Sequence, residues 1–277
     1  MDTQHAPTLA EYITHHLKNL GTSHQEKIID FSIINVDTVF WSIFCGVVAC
    51  LVMFIVAKKA TSGVPGRVQS AVEMLVEMVD NQAKAQIHGD RRFIAPLALT
   101  IFIWIALMNC LDFIPVDLFS QIFAWTGLDV HLPYHRLVPT SDLNAPVGIA
   151  LCVIVMSIYY GLKIKGVKGF FHELFCAPFG PQMFPANILL NIIEYLARFI
   201  SLSMRLWGNM YAGELIFLMI AILGSYAALS LGGSLFFIGH VIAGSVWAIF
   251  HILVVFLQAF IFMMLTLVYL GLAHESH

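Results

Sequence analysis

Arginine, glutamate and histidine are hard to reconcile with an apolar setting, and this sequence puts several of them inside long apolar tracts. From about Ala186 to Ala221 the apolar residues are interrupted by Glu194, Arg198, Arg205 and Glu214, with Asn187, Asn191, Ser201 and Asn209 among them. From about Leu235 to Leu272 the interruptions are His240, His251 and Gln258. A charge at membrane depth costs about 2.5 to 3.5 kcal/mol on insertion scales, so such a group is a candidate functional residue by default. Glu and His bind and release protons, and their neighbours can bring their titration toward working pH. Arginine stays protonated in a protein. Arg205 can therefore hold a carboxylate charged or repel a cation, but it cannot relay a proton. These residue types point to ion passage, with Arg205 as a barrier between two polar routes.

Helical geometry groups them. At 100° per residue, Asn187, Asn191, Glu194, Arg198 and Asn209 fall within about 40° of Arg205, and Ser201 lies one turn before it. Glu214 lies on the opposite side, about 13 Å further along, so it is not expected to pair with Arg205 on the same helix. His240, His251 and Gln258 are spaced to share one face within about 20°. Of these, His240 sits near the end of its tract and is left out of the core site.

These residues need elements to hold them at depth. Of the 277 residues, 59% are hydrophobic and only 11% charged. An ordinary soluble domain carries about 25% charged residues. The expected class is an all-α integral membrane protein with five spans at about 39–57, 94–111, 147–162, 186–221 and 235–272. The last two exceed a perpendicular crossing, so they must tilt or lie partly along the surface. Residues 67–86 differ. Val68, Ala71, Val72, Leu75, Val76 and Val79 follow helical spacing, while Glu73, Glu77 and Asp80 take the other side. That pattern predicts an amphipathic helix lying on the membrane, the alternative being a helix packed on a soluble partner.

Charge orients the chain. Lys58, Lys59, Arg67, Lys84, Arg91 and Arg92 lie after the first span, and Lys163, Lys165 and Lys168 after the third. The stretch from Asp112 to Asn144 carries four aspartates against Arg136 alone. The positive-inside rule puts the N-terminus outside and the C-terminus in the cytoplasm. Residues 1–38 form an external N-terminal segment, and 39–277 the membrane domain. The first three dozen residues resemble neither a signal peptide nor a transit peptide.

Other chemistries find little support. A net charge of −3 implies no nucleic-acid partner. The five cysteines, Cys45, Cys50, Cys110, Cys152 and Cys176, form no Cys-x-x-Cys pair and read as small buried hydrophobes. His131 and His135 sit four apart, but without a third ligand no metal site is expected. No cofactor motif is present.

Two stretches are long and specific. Ser201-Leu-Ser-Met-Arg205-Leu-Trp-Gly-Asn209-Met-Tyr-Ala-Gly-Glu214 and Trp247-Ala-Ile-Phe-His251-Ile-Leu-Val-Val-Phe-Leu-Gln258 closely resemble the signature of the subunit a family of bacterial F-type ATP synthases. Met108-Asn109-Cys-Leu-Asp112-Phe-Ile-Pro115-Val-Asp117 and Arg136 to Asn144 resemble their counterparts there, and the likeness covers nearly everything beyond about residue 30. The resemblance implies the stationary half of a rotary motor in the bacterial inner membrane. Its partners would be a ring of c proteolipid subunits, the b subunits of the peripheral stalk, the rest of the ATP synthase and the lipid bilayer. The subunit would catalyse no bond chemistry itself. Its last two tracts would form a tilted hairpin against the ring. Two offset half-channels would serve the ring carboxylates, with Arg205 as the essential arginine. The outer route would use Asn109, Asp112, Asn209, Glu214, His251 and Gln258. Some members carry an inner-route glutamate at the position of Asn191. Here Glu194, one turn along, is expected to take that role beside Ser201. The rival expectation is a stand-alone ion-coupled secondary transporter, although no internal repeat of that kind is seen.

Overall fold

Lipid offers the backbone no hydrogen-bond partners, so an apolar run that must cross a membrane closes its own bonds as a helix. A computed structural model describes residues 20–22, 33–87, 89–114, 136–176, 179–229 and 233–274. His131, His135, Asp117 and Asp129 lie outside the described residues. Among the described residues six long helices order the chain: α1 Val36–Lys59, α2 Arg67–Gln86, α3 Ile94–Cys110, α4 Asn144–Cys176, α5 Phe184–Leu229 and α6 Gly233–Leu272. All but α2 are long and apolar enough to cross a membrane. No strand occurs among the described residues. Most of each apolar span faces outward, as expected where lipid is the solvent. Among the described residues the expected all-α membrane architecture holds, with five helices long and apolar enough to span and one amphipathic helix.

The spans run longer than their apolar cores because polar residues at their ends also take helical geometry. Asp37 stands in the first turn of α1 and Lys58 and Lys59 in its last, each complementing the helix dipole. The largest departure is α4. Its apolar run ends at Leu162, yet the helix continues to Cys176, so Lys163, Lys165 and Lys168 are helical instead of forming a basic loop. Gly166, at φ 69°, breaks it in two. That left-handed geometry strains any residue with a Cβ. Beyond the break the chain returns on itself, since a Cβ on Gly161 would lie 3.2 Å from the Phe170 ring. On an unbroken helix those residues would stand about 13 Å apart along the axis.

The chain clusters into two compact units. The first comprises Met1–Cys45, Leu107–Asp142 and Gly208–Phe256. Here Asp37 ties three pieces of backbone together. Its carboxylate accepts from Thr38 N at 2.8 Å, Leu20 N at 2.9 Å and Arg136 N at 3.1 Å. Asp142 accepts from Asn35 Nδ2 at 2.8 Å and Thr38 Oγ1 at 2.7 Å. Trp41 packs against Leu137 and Val138. The segment 136–142 is thereby fixed.

The second unit comprises Gly46–Ala106, Leu143–Trp207 and Leu257–His277. In it, α2 has the length read from its pattern, but its apolar face is divided. Val79, Ala83 and the adjoining Ile87 are buried, while Val68, Met74 and Val76 stay exposed. A Cβ on Gly271 of α6 would lie 2.7 Å from Gln86 O, so protein, not lipid, covers the end of α2. The cysteines are free, but Cys50 and Cys152 are exposed instead of buried. Each sits on an outward apolar face, where a small soft side chain carries no penalty in lipid.

Candidate functional site

Among the described residues of the first unit, Asp112, Arg136, Glu214 and His251 have buried, partnered side chains. His251, on α6, donates from Nε2 to Asp112 Oδ2 at 2.6 Å. Its side chain is 1% exposed and that of Asp112 7%. The rings of Phe113, Phe217 and Trp247 surround the imidazole. Gly213 makes room for it, because a Cβ there would lie 2.9 Å from His251 Nδ1. The very next residue is Glu214. Its carboxylate receives Arg136 Nε at 3.2 and 3.1 Å and also pairs with Arg136 Nη2. Both side chains of that pair are less than a tenth exposed. Tyr211 lies 5.6 Å from the guanidinium carbon, which adds a cation–π contact. Asn109 is buried; its Oδ1 accepts from Thr140 Oγ1 at 2.8 Å, and its Nδ2 donates to Val255 O at 3.3 Å. Asn209, half-buried, belongs to the same unit.

The first unit therefore gathers Asn109, Asp112, Asn209, Glu214 and His251. The residue that sequence reasoning did not select is Arg136. In the sequence it stands only as the lone cation of an acidic stretch and as the first residue of the Arg136-to-Asn144 motif. A solitary cation among aspartates, in a chain with a buried glutamate to satisfy, was the signal available. His240 has a different surrounding. Its Nδ1 donates to Ile220 O at 2.8 Å, and its ring fills the space over Gly224. A carbonyl only accepts, so the Nδ1 hydrogen is committed, and His240 is a hydrogen-bonded packing residue.

The second unit holds Glu194, Arg198, Ser201, Arg205 and Gln258. Glu194 and Arg198 form an ion pair one turn apart on α5. The Glu194 side chain is 56% exposed. Arg205 is exposed, with Nη2 3.4 Å from Ser201 Oγ. Gln258 is buried. The two asparagines at the start of the polar stripe turn out to be pins. Asn187 accepts from Phe179 N and donates to Phe175 O and Gly180 O; Asn191 donates to Leu174 O at 3.0 Å. Both clasp the end of α4. The stripe is thus structural at one end and charged at the other.

A cavity of about 320 Å³ opens in the same unit, lined among others by Lys165, Glu173, Asn191, Glu194, Arg198 and Tyr269. Among the described residues no cluster of His, Cys, Asp and Glu could hold a metal ion. Chemically, the glutamates and histidine can hold and exchange protons, whereas Arg205 carries a permanent charge.

Comparison with known proteins agrees in scale with the motifs. A family model described as the ATP synthase A chain matches residues 39–271. The chain is 55% identical over 287 residues to the ATP synthase subunit a of Paracidovorax citrulli, covering 99% of this chain and 98% of that one. It is 55% identical to the subunit a of an Acidovorax species and 48% identical to that of Colwellia psychrerythraea, again over nearly the full length of each.

Proposed function

The chain belongs to the ATP synthase A chain family, and from that premise we propose that it is the stationary subunit through which protons pass to and from a rotating ring of small carboxylate-bearing subunits. The coarser role, a membrane-embedded proton-translocating subunit of an ATP synthase, follows from family membership. The geometry supports a finer route. The observation that carries it is the contrast between buried, partnered titratable groups and an exposed arginine that cannot titrate.

Protons enter from outside through Asp112, His251, Asn109 and Glu214, helped by Asn209 and Gln258. They neutralise a ring carboxylate. A neutral carboxyl crosses lipid at far lower cost than a charged one. After nearly a full turn the carboxyl meets Arg205, whose fixed charge favours the ionised form and expels the proton. The proton leaves past Ser201 and Glu194. Each charge moved across 100 mV supplies about 2.3 kcal/mol, so several crossings are summed for each ATP made elsewhere in the complex. On this reading the N-terminus lies outside and the C-terminus in the cytoplasm of a bacterial inner membrane, the b subunits of the peripheral stalk hold the chain still, and the chain itself catalyses no bond chemistry beyond moving protons. Full-length likeness to ATP synthase subunits leaves the stand-alone transporter without support.

The test is Arg205→Ala in inverted membrane vesicles. ATP-driven acidification is expected to be abolished while the complex still assembles. Acidification at the wild-type rate would refute the barrier role.

A further inference from the structure

The route assigned above to the second unit has one acid, Glu194, yet the cavity contains another. Glu173 lies on the returning piece of α4, beyond the break at Gly166. It accepts from Lys165 Nζ through both oxygens, at 2.8 and 2.6 Å. The Lys165 side chain is 12% exposed and that of Glu173 33%. Eight residues separate the two, about 12 Å along an unbroken helix, so the reversal at Gly166 is what lets them meet. Asn191 then holds the reversed piece in place by donating to the carbonyl of Leu174, the residue after Glu173. Around the cavity stand two acids and two fixed cations, Glu173 with Lys165 and Glu194 with Arg198, together with Tyr195 and Tyr269. Each acid keeps part of its surface open. That is the arrangement expected of groups that trade protons with water, because each carboxylate is held at the cavity wall by its cation and still meets the solvent there.

We propose that Glu173 is a second proton-carrying acid of this cavity, working alongside Glu194. The inference rests on the proton-conducting reading of the chain. A proton arriving through cavity water converts the Glu173 carboxylate to the neutral carboxyl and leaves the Lys165 ammonium briefly uncompensated. Release of the same proton to water restores the pair, so no other reactant is consumed. Lys165 is then a positioning residue: it draws the carboxylate to the cavity wall.

The plain alternative is that Glu173 serves only to neutralise Lys165. Inverted vesicles carrying the assembled complex separate the two. Glu173→Gln is expected to lower the initial rate of ATP-driven acidification by about tenfold, less than the roughly 100-fold or more for losing a sole proton-transfer group because Glu194 remains. Glu173→Asp, which keeps a carboxyl, is expected to retain most of the rate. The decisive variant is Glu173→Gln combined with Lys165→Met, which leaves no orphaned charge. It is expected to assemble and to remain slow. Recovery of the wild-type rate in that double variant would overturn the proposal, as would a wild-type rate in Glu173→Gln. Should Glu173→Gln alone fail to assemble, the double variant carries the same test. Arg205→Ala run in parallel tells the failures apart. If it is silent while the Glu173 variants pump normally, only this inference falls; if it pumps too, the proton-conducting reading falls with it.

Discussion

In the first unit Glu214 and His251 are 6% and 1% exposed, and each is closed by a partner, Arg136 or Asp112. In the second, Glu194 leaves more than half of its side chain open and Arg205 lies on an exposed face. The first arrangement satisfies its charges internally. A buried charge without a partner is costly, and a paired one is tolerated. The second leaves charge on the outside of an apolar helix, where lipid would penalise it by several kcal/mol. A protein tolerates that where another protein surface brings the compensation. On the proposed function, the exposed charge of the second unit is where the carboxylate-bearing ring would bring that compensation.

The difference should be measurable in stability as well as in conduction. Arg136→Leu leaves Glu214 buried without a partner and is expected to cost about 3 to 5 kcal/mol. The check is thermal unfolding of the purified complex in mild detergent. A loss under about 1 kcal/mol would mean the pair does not close the first unit. Next comes Gly213→Ala, whose methyl meets the His251 ring. A cost of about 1 to 3 kcal/mol is expected from overpacking, with slowed proton pumping because the imidazole is displaced from Asp112. Gly224→Ala meets His240 in the same way and is expected to cost a similar amount with a smaller loss of pumping. Equal pumping losses would promote His240 into the route. Smallest is Glu194→Gln. An exposed ion pair one turn apart contributes about 0.3 to 0.5 kcal/mol, so unfolding should scarcely move while proton exit slows. A large stability loss there would erase the contrast between the units.

Much of this was legible before any coordinates. Apolar runs located the five spans because lipid leaves a buried backbone no alternative to the helix. Period 3.6 located α2, because polar and apolar residues alternate on its two faces. Helical angle kept Glu214 away from Arg205, and Glu214 indeed pairs elsewhere. Two things were hidden. The reversal at Gly166 left no pattern beyond one glycine among lysines, since a left-handed φ is a property of backbone, not of hydropathy. The Arg136–Glu214 pair joins residues far apart in sequence, and no periodicity connects a loop to a helix. The same holds for Asn187 and Asn191, whose place on the polar stripe was visible but whose partners, carbonyls at the end of α4, were not.

The two glycine–histidine contacts have a consequence for register. Gly213 and Gly224 are eleven residues apart on α5, as are His240 and His251 on α6. Eleven residues are close to three whole turns, about 16 Å. Each ring rests in a notch made by a missing methyl group, and the two notches are cut at the same pitch as the two rings. The helices therefore mesh like a rack with two teeth. A slip of one residue or one turn would drive both imidazoles onto side chains together, so Glu214 keeps a fixed station relative to His251.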